Sequence, residues 1–350
     1  MRKSLFLIMA GILTLVLSLA GCGQGDENQQ KGAGEGDDTP EKVSVDIGML
    51  KLTSSAPLFI AIEKGFFEEE NIQANAKWFE AAQPIAVATA GGSVDVGATG
   101  ITASLYNMVA GGQQLWIVAD KGREQKGYSS SALLVHNDSE VTKPEELKGK
   151  RIGITQTGST FHYMAGRILE NHGMSLSDVQ LVPLNSIKGL MEALSSQQVD
   201  AVILNEPNIS TAVSEGYGRV ITQVGDEMDY QTSGIFFSPK FAENRDTAVS
   251  FMKAYAKASQ YYHDAVLTQK DGQAVPGENY EEVIDIIAKY TDQDPELIKK
   301  GLPYMDRDGN LLEEDIQTQI DWYAKEKLID KAIDADQIVN TEFLKEALNN

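Results

Sequence analysis

Small polar side chains gather just after the apolar runs of this chain. They are Thr53-Ser54-Ser55, Ala81-Ala82-Gln83 and Thr99-Gly100-Ile101-Thr102, then Gln156 to Thr160, Asn185-Ser186 and Asn205-Glu206. Hydroxyls and carboxamides in short loops supply hydrogen bonds, and a loop that opens a helix adds that helix's free N–H groups and positive dipole end. The chemistry this suits is non-covalent holding of a small polar or anionic group. Each residue has a second reading, because Ser, Thr and Asn are also the favoured helix N-caps. Bond-making chemistry finds little support. The four histidines, His136, His162, His172 and His263, lack HExxH or paired-ligand spacing, and no P-loop or Gly-x-Ser-x-Gly elbow occurs. Asp306-Arg307-Asp308-Gly309-Asn310 has its glycine misplaced for a calcium loop and reads as a tight turn. No catalytic residue, metal or cofactor is expected.

A different chemistry is written at Cys22, the one cysteine. Arg2 and Lys3 precede an apolar stretch, Leu5 to Leu19, that falls short of the ~20 residues a membrane span needs. Leu19-Ala20-Gly21-Cys22 resembles the bacterial lipobox, in which the thiol takes a diacylglycerol and becomes the new N-terminus. The alternative is an ordinary signal peptide with an incidental cysteine. On the lipobox reading, residues 1–21 are a signal peptide and residues 22–42, rich in Gly, Gln, Asp, Glu and Lys, are a flexible tether. The expected location is the extracytoplasmic face of a bacterial cell membrane, held by the lipid on Cys22. Thirty basic against 51 acidic residues, net −21, would repel phosphate backbones, so no nucleic-acid partner is expected.

Positioning the polar loops requires strands that end beside them. Strand patterns run over Val43–Met49, Ile72–Phe79, Val94–Ala98 and Leu115–Ala119, with helical patterns at Pro57–Lys64, Pro84–Ala90 and Thr102–Ala110 between them. A second alternating run follows, with strands at Ala132–Val135, Arg151–Ile154, Val179–Val182 and Ala201–Leu204 and helices at Thr160–Asn171, Ile187–Leu194 and Ile209–Glu215. Such alternation predicts parallel sheets with helices on their faces. Val94-Asp95 and Val199-Asp200 echo one another at equivalent places. A last strand, Ile235–Ser238, precedes helical stretches at Ala242–Asp264, Tyr280–Tyr290 and Ile316–Glu326 that are expected to brace the first lobe. The lobes are therefore expected at 43–130 plus 235–350 and at 131–234. The crossings near Tyr128–Ser131 and Gln231–Gly234 would serve as the hinge.

Four segments carry a family resemblance. Ser55-Ala56-Pro57-Leu58-Phe59-Ile60-Ala61-Ile62-Glu63-Lys64-Gly65-Phe66-Phe67 and Gly92-Ser93-Val94-Asp95-Val96-Gly97 lie in the first half. Pro144-Glu145-Glu146-Leu147-Lys148-Gly149-Lys150-Arg151-Ile152-Gly153 and Gln198-Val199-Asp200-Ala201 with Glu206-Pro207 lie in the second. Together, over Val43 to about Phe343, they resemble ABC-transporter solute-binding lipoproteins of the nitrate/sulfonate/taurine type. The resemblance implies an α/β, two-lobe periplasmic-binding-protein-like fold (type II), each lobe a mostly parallel sheet flanked by helices. It also implies a monomer that captures a small-molecule ligand and hands it to ABC permease subunits. Ligands of such sheets sit beyond the carboxyl ends of the strands. The expected ligand-binding set is therefore Thr53, Ser54, Ser55, Gln83, Thr99, Gly100, Thr102, Thr157, Gly158, Ser159, Thr160, Phe161, His162, Asn185, Asn205 and Glu206. Phe161 and His162 could stack on or donate to a ligand ring, and Glu206 could meet a cationic amine. The cargo is read as a small organic anion, sulfonate-, carboxylate- or nitrate-like. The alternatives are import of a thiamine-type pyrimidine or aromatic compound, a non-transport enzyme on the same fold, and a surface interaction module. Relatives carry Trp before their acidic-Pro pair where this chain has Leu204-Asn205, which leaves sulfonate specificity without its usual mark.

Overall fold

The computed structural model describes residues 42–270 and 273–349. The leader, Cys22 and the tether as far as residue 41 lie outside the described residues. Ten strands build two five-stranded sheets. The first contains β1 (Val43–Met49), β2 (Ile72–Trp78), β3 (Val96–Gly100) and β4 (Trp116–Asp120), with β10 (Ser233–Phe237) inserted in the order β2-β1-β3-β10-β4. The second contains β5 (Ser131–His136), β6 (Arg151–Ile154), β7 (Gln180–Pro183), β8 (Ala201–Asn205) and β9 (Gly218–Gln223), in the order β7-β6-β8-β5-β9. The two orders are the same pattern.

Neither sheet is wholly parallel, which refines the expectation from strand–helix alternation. β10 pairs antiparallel with β3 and β4, and β5 pairs antiparallel with β8 and β9. The reversed strand in each sheet is the one delivered from the other lobe. A βαβ crossover returns the chain to the far end of its sheet, whereas a direct crossing enters at the end facing the partner lobe and must run away from it. β9, a half-buried edge strand, was not expected from the sequence.

The Asp95 and Asp200 echo has a structural cause. Asp95 exchanges bonds with Asp46: its N–H donates to the Asp46 carbonyl (2.9 Å), and its Oδ2 accepts from the Asp46 N–H (2.9 Å). Asp200 repeats this with Arg151, at 2.9 Å and 2.7 Å. Each aspartate thus pins the start of one parallel strand to the approach of its neighbour, satisfying backbone groups that would otherwise be lost at the sheet's end.

Helices cover both sheets. The first sheet packs against α2 (Ala82–Ala90) and the late helices α7 (Arg245–Val266) and α10 (Glu342–Asn349), with α1 (Ala56–Glu63) and α8 (Tyr280–Thr291) layered on α7 and α3 (Ala103–Ala110) beside α2. Phe237, Phe241, Phe251 and Phe343 interlock there at centroid separations of 4.9–6.0 Å. The second sheet is flanked by α4 (Thr160–Asn171), α5 (Ile187–Ser195) and α6 (Asn208–Ser214). One late helix, α9 (Glu313–Lys325), does more than brace the first lobe. Its Trp322 lies edge-on to Tyr163 of α4 (4.9 Å), and its Tyr323 hydroxyl donates to the Ser159 carbonyl (3.2 Å). Tyr323 also packs on Tyr106 of α3, so α9 straddles both lobes.

The two crossings are tied to one another. Glu124 and Tyr230 exchange backbone bonds of 2.8 and 3.1 Å. The Glu124 carboxylate is buried and accepts from Ser129 Oγ (2.6 Å), Ser130 N (3.0 Å), Ser130 Oγ (2.9 Å) and Ser131 N (3.3 Å). Burial pushes its pKa up, and these serine donors oppose the rise. Asp306 folds the predicted tight turn by accepting from the N–H groups of Asp308 and Asn310.

Candidate functional site

Between the lobes, at the carboxyl ends of the strands, lies a cleft holding about 560 Å³ of empty space with its mouth included. The first lobe contributes Leu50, Leu52 and Ser54 after β1, Ala81 and Ala82 after β2, Gly100 ending β3, and Lys121 and Gly122 after β4. The second lobe contributes Thr155 after β6, Thr160 and Phe161 opening α4, Ile187 opening α5, and Asn205 ending β8. Ser130, Thr232 and Ser233 line it from the crossings.

Lys121 is the one charged side chain among these lining residues. It is 1% exposed, and its Nζ donates to Ser54 Oγ at 3.0 Å. Loss of hydration pulls its pKa down to about 7, against the opposing pull of the Asp120 charge. Asp120 itself is turned to other partners. Its carboxylate accepts from Gly122 N (2.8 Å), Gln231 Nε2 (2.6 Å) and Asp306 N (2.8 Å). Lys121 is therefore left lining the cleft without an ion-pair partner among the described residues. Across the cleft, the Asn205 Oδ1 is buried and has no hydrogen-bond partner. A carboxamide can be turned to present either its oxygen or its NH₂, so Asn205 offers unspent hydrogen-bonding capacity to an occupant. α4 points its N-terminus into the same space, adding free N–H groups and a partial positive charge. Lysine, hydroxyls and a helix N-terminus converging on one cleft can hold an anionic group.

The residues expected from sequence divide by placement. Ser54, Gly100, Thr160, Phe161 and Asn205 line the cleft. Gly100 lies close against the second lobe, since a Cβ there would lie 2.7 Å from Thr160 Cγ2. Others join the lobes without facing the chamber. The Gly158 carbonyl accepts from Ala103 N (2.9 Å), and Thr53 N donates to the Glu206 carbonyl (3.4 Å). Ser159 is the N-cap of α4, its Oγ accepting from His162 N at 3.2 Å, so the capping alternative is realised there. His162 is 5% exposed, accepts from Gly158 N at Nδ1 (3.0 Å), and lies edge-on to Trp322. Burial lowers its pKa to about 4 and keeps it neutral. Glu206 is 6% exposed and accepts from Ser210 N and Oγ, both at 3.0 Å, while burial pushes its pKa up. Ser55 donates to the Leu50 carbonyl, Thr102 pairs with Ser104, and Thr99 is buried with its hydroxyl unpartnered. Gln83, Thr157 and Asn185 are not among the lining residues, and the latter two are exposed.

Lys121 was missed. The strand-end rule that marked the first three loops applies equally to Asp120-Lys121-Gly122 after the fourth apolar run, and there it would have found the charge.

The sequence matches the NMT1/THI5-like family over residues 52–265, more than half of the chain. The chain belongs to that family. Relatives from bacteria align along nearly its whole length. A Bacillus subtilis (strain 168) protein named for binding aliphatic sulfonates is 27% identical, covering 99% of this chain and 97% of the relative. A Brachyspira hyodysenteriae protein named as an ABC transporter periplasmic binding protein is 25% identical with both chains fully covered. Among solved structures, the alkanesulfonate-binding protein SsuA from Xanthomonas axonopodis pv. citri, bound to MOPS, superposes with a TM-score of 0.70. That likeness spans 86% of this chain and 99% of SsuA at 20% identity, and it shows the shared two-lobe fold. Among the described residues, no helix of this NMT1/THI5-like chain is long and apolar enough to cross a membrane.

Proposed function

We propose that this protein captures a small organic anion in the inter-lobe cleft and delivers it to the permease subunits of an ABC importer. It is the solute-binding component of that importer and works outside the cytoplasm. The observation that carries the anion is Lys121, a buried lysine that is the one charged side chain among the residues lining the inter-lobe cleft. An oxyanion there restores the charge partner that burial removed, so binding and neutralisation are one event. A neutral pyrimidine or aromatic cargo leaves the amine without a counter-charge. Sulfonate, carboxylate and nitrate all satisfy the same donors, and the names of the sulfonate-binding relatives weight the first.

The lobes in this reading are 43–130 with 235–350, and 131–234, closing about the Glu124–Tyr230 pairing. The ligand selects the closed form by touching both lobes. The protein acts as a monomer, without turnover, anchored by an acyl group on Cys22. A thermal-shift panel of sulfonates, carboxylates and nitrate tests capture: at least one should raise the Tm of wild-type protein and shift Lys121→Met far less. Stabilisation by no anion would overturn the reading. Radiolabelled palmitate tests the anchor, with incorporation expected in wild type and lost in Cys22→Ala.

A further inference from the structure

Among the described residues, His172 is the one histidine with a carboxylate at each ring nitrogen. Its Nδ1 lies 3.0 Å from Glu145 Oε1, and its Nε2 lies 3.1 Å from Glu227 Oε1. An ionised carboxylate can only accept, and a neutral imidazole has a single N–H to give. Both contacts are therefore hydrogen bonds only while each ring nitrogen carries a proton. Deprotonation turns one of them into a lone pair facing an oxygen. The three residues come from separate parts of the second lobe. Glu145 belongs to the short helical turn Pro144–Leu147 after β5, His172 caps the carboxyl end of α4, and Glu227 ends the short helix Val224–Glu227 after β9. The Glu227 carboxylate is steadied by Thr222 Oγ1 (2.8 Å) and Asn171 Nδ2 (3.3 Å), which donate to it. Three residues further on, Tyr230 stacks on Tyr163 of α4 at 4.7 Å and leads into the second crossing. α4 is thus fastened to the approach of that crossing at two points, Tyr163 near its start and His172 at its end.

We propose that His172 is a proton-operated clasp, whose imidazolium bonds Glu145 and Glu227 at once and fastens α4 to the segment that enters the second crossing. Loss of the proton releases one side. Glu145 and Glu227 are the charged groups that act on the ring, and Lys143 acts in turn on Glu145. Glu145 foremost, then Glu227, holds the ring's pKa above the ordinary 6.5 against the opposing pull of burial. The folded chain keeps a proton that the unfolded chain gives up near 6.5. The clasp therefore adds its stability in full below pH 6.5 and loses it as pH rises through the folded pKa. A protein working outside the cytoplasm, as proposed above, meets that range directly.

The test is proton NMR of the full-length protein, following the His172 ring resonance from pH 5 to 9 and assigning it with His172→Gln. The expected midpoint lies above 6.5 and falls towards it in Glu145→Gln, a substitution at an exposed side chain. Amide exchange supplies a second readout, since the glutamine variant can reach only one carboxylate with its NH₂, as the neutral ring does. At pH 6, residues 224–230 should exchange up to about fivefold faster in His172→Gln than in wild type, the equivalent of one partly exposed ion pair. The two proteins should converge by pH 9. A midpoint at or below 6.5, or one that Glu145→Gln does not move, overturns the clasp. Equal exchange of the two proteins at pH 6 overturns it as well. None of these readouts involves cargo, so each outcome leaves the anion reading where it stands.

Discussion

Raising the pH from 7 to 9 should weaken anion capture about fiftyfold. The cause is Lys121, buried in the empty cleft with its pKa drawn down to about 7 by desolvation. An unfolded lysine keeps its proton to about pH 10.5, so between 7 and 10.5 the unfolded chain binds more protons than the empty fold. Burial of the ammonium therefore costs stability in full below pH 7, and that cost is relieved as pH rises through this window. A bound oxyanion reverses the balance by favouring the charged amine. Above pH 7 the anion must bring a proton with it, and each further pH unit costs a factor of ten in affinity. Asp120 is the neighbouring charge, and its three donors keep it engaged elsewhere. Titration calorimetry in two buffers of different ionisation enthalpy should report almost no proton uptake at pH 6 and about one proton per anion at pH 9. Lys121→Met should bind roughly a hundredfold more weakly at pH 6, the loss of one hydrogen bond to a charged group at ~1.5–3 kcal/mol. Its affinity should no longer depend on pH. A wild-type affinity that stays flat from pH 6 to 9 refutes the reasoning, as does a Lys121→Met protein that binds normally.

Other expectations follow from single contacts. Gly100→Ala places a methyl 2.7 Å from Thr160 Cγ2, so the closed form should be disfavoured by ~1–3 kcal/mol, with weaker binding and a larger scattering radius in saturating ligand. Glu124→Ala strands the serine hydroxyls and N–H groups that its carboxylate satisfies, and should lower stability by ~2–3 kcal/mol in urea melts, with Glu124→Gln milder. His162 has a folded pKa of about 4 against the ordinary 6.5, so the unfolded chain takes the proton first. Stability should fall as pH drops from 6.5 towards 4, and His162→Gln should show a shallower loss of Tm over that interval. Phe251→Ala, in the core of the first lobe, should cost ~3–5 kcal/mol without altering anion affinity at permissive temperature.

Much of the architecture could be read from the chain because its signals are local. Apolar runs such as Ala132–Val135 and Ala201–Leu204, separated by helical periodicity, mark strands buried on both faces. The reversal of β5 and β10 was not legible, because strand direction is set by which end of the sheet a crossing reaches, a non-local property. β9 escaped because an edge strand with Arg219, Thr222 and Gln223 has no continuous apolar signature. At the site, Ser54, Thr160 and Asn205 could be placed by the strand-end rule. Thr157 and Asn185 obey the same rule yet point to solvent, since loop course is decided by tertiary packing. Lys121 was hidden by the ordinary behaviour of lysine, which is almost never fully buried. His162 and Glu206 looked like ligand groups because they are polar at strand ends, but their hydrogen bonds are spent inside the second lobe.

The central claim is that an anion's charged end sits on Lys121. A crystal structure of the protein with the anion that stabilises it best would test this most directly. The account predicts an oxyanion within hydrogen-bond reach of Lys121 Nζ and Ser54 Oγ, with both lobes closed on it. Density for the anion elsewhere, with Lys121 still bonded only to Ser54, would contradict it.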